Sequence, residues 1–185
     1  MKTEEKGSTF DARSITKMSI CVALLCISAY IAFPVPFAAA VITALTITMN
    51  LTAFILPPKQ TFLVLLVYVL LGAAGLPVYA NGASGIGQLF GPTGGFLIAF
   101  VIAYPVVSWL KGADNSFRRY LLVAVCVGIP ITYIGGLISM MLVLHLSLMK
   151  AVVVAVLPFL PGDILKSAAA AWLSVRLNKI FAQWE

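Results

Sequence analysis

An all-α, polytopic membrane protein of six transmembrane helices, with both termini in the cytoplasm, is the fold class this sequence predicts, and three observations predict it. Hydrophobic residues make up 62% of the 185 and charged residues only 10%, with a mean hydropathy of +1.07. Soluble domains carry roughly 45 to 50% apolar and about 25% charged residues. The apolar stretches are punctuated by prolines, glycines and short charged segments, as loops punctuate a bundle. Finally, the net charge of +6 is not a patch. Its basic residues flank the apolar runs, which records membrane topology and argues against nucleic-acid binding.

The chain is long enough for one bundle and too short for a second domain of ordinary size. Residues 1–16 read as a polar cytoplasmic tail, 17–180 as the membrane domain and 181–185 as a C-terminal tail. No cleavable leader is evident, so the first apolar run, Lys17 to Phe33, is expected to be retained as helix one. Ser19 and Ala23 lie one turn apart on it, a small-residue pair that lets another helix approach closely. Pro34 and Pro36 end that run.

The second span, Ala38 to Leu56, carries Thr43, Thr46, Thr48 and Thr52, whose hydroxyls can bond back to their own helix, and Asn50, which suits a helix–helix contact. Pro57-Pro58-Lys59 stops it, and the third span runs from Thr61 to about Leu76. The fourth, Phe96 to Leu110, ends at the charged loop 111–119, and the fifth runs from Tyr120 to Leu144. His145 follows as an interfacial histidine with no sequence-visible partner for a metal. Residues 146–157 are too few to cross a core that needs ~20 helical residues. They read as an outer rim or as the tail of a kinked fifth helix.

Two segments stand out. Residues 75–95, GLPVYANGASGIGQLFGPTGG, contain seven glycines and no charge. Irregular backbone near a membrane survives only where protein or a cavity buries it, and its peptide groups are then open to a solute. The surroundings fit neither a P-loop nor a dinucleotide fingerprint, so the stretch reads as a binding loop, 77–95, with a simple connector as the alternative.

The other segment is Pro158 to Lys166, PFLPGDILK, which sets Asp163 and Lys166 one turn apart at the start of the sixth span, from Gly162 or Asp163 to Leu177. Pro161 suits a helix start and places Asp163 in the positively polarised first turn. Six spans put ten basic residues on the side of the termini and only Lys150 opposite, with Lys166 held near the start of span six, so both unusual segments face the exterior.

Charged groups withdrawn from water near a membrane are costly unless paired, and are functional candidates by default. Asp163, Lys166, Asn81, Gln88 and Thr93 offer donors and acceptors for a small polar solute, with Tyr79, Phe90 and Tyr68 available to cover an apolar part. An internal Asp163–Lys166 strut in a membrane scaffold remains the competing explanation, and an autonomous small-solute carrier a third. There is no nucleophile–base pair, no metal cluster and no Walker motif, so the chain reads as neither an enzyme nor a self-powered pump.

In Gly75-Leu76-Pro77-Val78-Tyr79-Ala80, in Gly91-Pro92-Thr93-Gly94-Gly95 and in Pro158-Phe159-Leu160-Pro161-Gly162-Asp163 with Lys166, the chain resembles the BioY family, the biotin-binding S components of energy-coupling factor transporters. The resemblance spans roughly residues 15–180. It implies a six-helix fold in the cell membrane and capture of biotin from the exterior. It also implies partnership with a transmembrane coupling protein and two cytoplasmic ATPases that hold the ATP, with no cofactor or metal in this chain. By the same resemblance, Asn81 and Asp163 bond to the ureido ring and Lys166 stands beside them or meets the valerate carboxylate. Gly82 and Gly91 to Gly95 shape the closing loop, and Ser19 and Ala23 occupy the docking face, where the family pattern has alanine first.

Overall fold

The computed structural model describes residues 11–34 and 41–183, and within them every stretch read as a span holds a helix. They are α1 (Ala12–Ser28), α2 (Leu45–Ile55), α3 (Pro58–Ala73), α4 (Gly94–Leu110), α5 (Phe117–Leu144), α6 (Leu148–Ala155) and α7 (Leu160–Ala182). The expectations for residues 1–10, for the Pro36 stop and for the last two residues lie outside the described residues.

Helix α1 starts at Ala12, earlier than Lys17, because Asp11 caps it by accepting from the Ser14 amide. Hydrogen bonding from Ser14, by its side chain first and its amide second, holds the Asp11 carboxyl below its ordinary pKa. The second stretch is shorter than expected. Strand Val41–Thr43 pairs antiparallel with Ala32–Pro34, Ala32 opposite Thr43, and the helix begins only at Leu45. A hairpin therefore occupies ground the sequence suggested was helical.

Helix α5 is the one described helix long and apolar enough to cross a membrane alone. It contains a wider π turn at Ala124–Gly128. His145 adopts a left-handed conformation, φ 52°, and ends it. The segment after it is thus a helix of its own, α6, and not the tail of a kinked fifth helix. It joins α7 through a 49° bend, and the two pass as one broken span. The bend lies at Val156–Phe159, and Pro161 sits in the first turn of α7, where its missing N–H costs nothing. Helix α7 continues past Leu177 to Ala182. Helices α2, α3 and α4 are apolar but shorter than a full crossing.

The core lies among α1, α2, α3 and α4, where Leu25, Met49, Phe54, Leu65, Tyr68 and Val107 are fully buried. Packing of α4 on α5 is close enough that a side chain on Gly95 would strike the Gly135 carbonyl, and one on Gly135 would strike Ala99.

The end of α2 away from the hairpin is where polar groups converge. Lys111 Nζ donates to the carbonyls of Ala53, Phe54 and Leu56 at 2.9, 2.9 and 2.7 Å. Ser108 donates to Leu56 O at 2.6 Å and Asn178 to Phe54 O at 3.2 Å. These are the carbonyls that a helix C-terminus leaves without partners, and a cation is favoured there. Tyr120 stacks on Phe54 with ring centroids 4.6 Å apart, tying α5 to the same point.

Candidate functional site

The glycine-rich segment is fastened to the bundle through its backbone. Tyr68 OH donates to Val78 O at 2.9 Å and Tyr79 OH to Val69 O at 2.6 Å. The amides of Asn81 and Gly85 donate to Ala29 O and Gly72 O, and Ser139 Oγ donates to Gly91 O at 2.7 Å. Two short 3-10 turns, Ala80–Gly82 and Ile86–Phe90, fill the interval. Gly85, at φ +94°, takes a conformation that a side chain would strain. Asn81 itself is left-handed at φ 59°, a region asparagine tolerates better than most residues. The segment is thus a shaped wall, and the simple-connector alternative does not describe it.

Behind that wall is a cavity of about 280 Å3, lined on the loop side by Tyr79, Asn81, Gln88 and Thr93 and on the helix side by Asp163 and Lys166. Six of the seven predicted substrate-binding residues therefore share one cavity. Gly91 is not among its lining residues; its carbonyl is taken by Ser139. Tyr79 presents ring surface, since its hydroxyl is spent on Val69. Of the other aromatic candidates, Tyr68 is fully buried away from the cavity and Phe90 is 77% exposed on a separate apolar groove. The apolar cover comes instead from Leu45, Phe96, Leu97, Phe100 and Phe159.

Asp163 is the electrostatic centre. It lies in the first turn of α7, as Pro161 suggested. Its Oδ1 accepts from Lys166 Nζ and from Thr46 Oγ1, both at 3.2 Å, and its Oδ2 accepts from Tyr133 OH at 2.8 Å. Asp163 and Lys166 form an ion pair with side chains only 13% and 15% exposed. A buried carboxylate needs such partners, and three elements supply them: α2, α5 and α7 itself.

Two of those partners were not visible as site residues. Thr46 belongs to a run of threonines for which self-capping is the ordinary expectation. Thr52 does bond back, to Thr48 O at 2.8 Å, but Thr46 reaches across to α7. Tyr133 carries no local motif at all. Asn50 meets its expectation as a helix–helix contact, donating to Thr46 O at 2.9 Å and to Ser167 Oγ of α7 at 3.4 Å. Ser19 and Ala23 stand exposed on the outer face of α1, away from the cavity.

Comparison with known proteins follows the same lines. The sequence profile of the BioY family matches residues 1–183. The chain belongs to the BioY family. It is 36% identical over 171 residues to the biotin transporter BioY of Thermotoga maritima, covering 91% of this chain and 97% of that one. The probable biotin transporter BioY of Pyrococcus horikoshii is 34% identical over 170 residues, 90% and 97% of the two chains. In three dimensions the chain is similar to a crystal structure of the S-component for biotin from an ECF-type ABC transporter. That match has a TM-score of 0.85 at 22% identity and covers 97% of this chain and 95% of the other. At that identity the likeness establishes the fold, and it agrees with the all-α class that the sequence predicted. The sequence resemblance to BioY thus holds over nearly the whole chain.

Proposed function

We propose that this chain is the substrate-binding subunit for biotin in an ECF-type importer of the cell membrane, energised by ATP hydrolysis in partner subunits. The observation that carries the reading is the cavity holding Asn81, Asp163 and Lys166 under one uncharged loop. Family membership and the biotin transporters at 36% and 34% identity supply the ligand's name. The cavity lies near the small end of the roughly 300–1,000 Å3 typical of ligand sites, and it is apolar with a few convergent polar groups, as a vitamin with a polar ring and an aliphatic tail requires.

In this reading Asp163 and Asn81 take the N–H groups and carbonyl of the ureido ring, and the phenylalanines cover the apolar part. Lys166 neutralises Asp163 and stands ready for a carboxylate. Gln88, Thr93 and Tyr79 complete the loop side, and the backbone at Gly91 holds the loop shut against Ser139. No chemistry is performed on the ligand. A coupling protein docks on the small-residue face of α1 at Ser19 and Ala23 and joins the subunit to two cytoplasmic ATPases.

Calorimetric titration of the purified chain with biotin tests the reading. Saturable heat at micromolar biotin or below is the expected result, and its absence overturns the assignment in favour of the scaffold. Uptake by vesicles containing this chain alone, at the rate seen with the coupling module and ATP, would instead make it an autonomous carrier.

A further inference from the structure

Resting on the biotin reading, we infer that Thr132 is a specificity-determining contact of the pocket, its hydroxyl reserved for the polar fused-ring head of the ligand. Thr132 lines the cavity and is only 7% exposed, yet its Oγ1 is buried with no hydrogen-bond partner among the described residues. Buried hydroxyls are almost always bonded, and an unbonded one loses its hydration without compensation. A threonine within a helix has an easy remedy in the carbonyl four residues back, which Thr52 uses and Thr132 does not. The carbonyl in question belongs to Gly128, the last residue of the π turn Ala124–Gly128. Such wide turns recur at functional sites.

The chemistry of the neighbouring carboxylate explains what the hydroxyl is for. A carboxylate offers roughly four acceptor positions, and protein donors already take three of those on Asp163, from Thr46, Lys166 and Tyr133. One remains, on Oδ2. A cyclic urea presents two N–H donors and a carbonyl, more than that single position can satisfy. Thr132 and Asp163 line the same cavity, so one ligand there can contact both residues. The Thr132 hydroxyl can accept the second N–H or donate to the carbonyl. The tail of the ligand, an aliphatic chain ending in a carboxylate, has no need of it there.

The test is titration of biotin into wild type, Thr132→Val and Thr132→Ser, with thermal unfolding of each. Valine keeps the shape and removes the hydroxyl, and binding is expected to weaken by about tenfold or more, while serine stays within about threefold of wild type. Repeating the titrations with biotin amide, whose tail carries no charge, should leave the valine penalty intact. A valine variant that binds as wild type does overturns the inference. A penalty that vanishes with the amide places the hydroxyl at the tail and overturns the assignment to the head. Wild type that fails to bind biotin overturns the biotin reading itself, a separate outcome. Should valine prevent folding, Thr132→Ala removes the same hydroxyl with less bulk and carries the same comparison.

Discussion

Asp163 accepts three hydrogen bonds from the protein alone, so its ligand meets a carboxylate already fixed in direction. Substituting Asp163→Asn keeps the shape and removes the charge. Loss of a hydrogen bond to a charged group costs about 1.5 to 3 kcal/mol, so biotin affinity should fall by roughly ten- to a hundredfold in a titration. An unchanged affinity in a folded variant would make the Asp163–Lys166 pair a strut. Tyr133→Phe should weaken binding less than Asp163→Asn, because it leaves the charge in place and frees one lone pair on Oδ2. Of this constellation the sequence displayed Asp163, Lys166 and Asn81, since each stands alone in an apolar or glycine-rich context. Thr46 and Tyr133 were hidden for a physical reason: what marks them is a partner 117 and 30 residues away along the chain, respectively, and no local pattern records such a pairing.

At the scale of elements, the loop and the crossing of α4 with α5 depend on close approach. Gly135→Val places methyl groups where Ala99 and the Gly95 carbonyl already stand. Overpacking of this kind costs typically 1 to 3 kcal/mol, so the melting temperature should drop clearly, as read by thermal unfolding in detergent. On α1 the outer face behaves differently. Ser19→Trp or Ala23→Trp touches exposed positions far from the cavity. Biotin titration should be unaffected while copurification with the coupling module fails; loss of titration with intact copurification would place the docking face elsewhere. The helices themselves were legible, because prolines and charges bound nearly every one. The hairpin was not, since Ala32–Pro34 and Val41–Thr43 are apolar and as short as three residues each, and periodicity cannot separate a strand from a helix over that length. The independence of α6 was equally hidden, for it depends on the left-handed backbone at His145.

At the scale of the whole molecule, the charge distribution predicts that the cavity opens outward. Ser84→Cys in a background lacking Cys21, Cys26 and Cys126 should react with a membrane-impermeant maleimide added outside intact cells, and Asn115→Cys only after permeabilisation. The reverse pattern would invert the topology. One helix joins the two faces of the molecule. Helix α2 has 11 residues, and at about 1.5 Å per residue it is a rod of roughly 16 Å. Thr46 in its first turn holds the carboxylate, and Lys111 grips the carbonyls at its last. Eleven hydrogen-bonded residues have little axial compliance. A displacement of Lys111 would therefore be carried along the rod to the threonine that holds the carboxylate, so α2 ties the polar anchor at one end of the bundle to the cavity at the other.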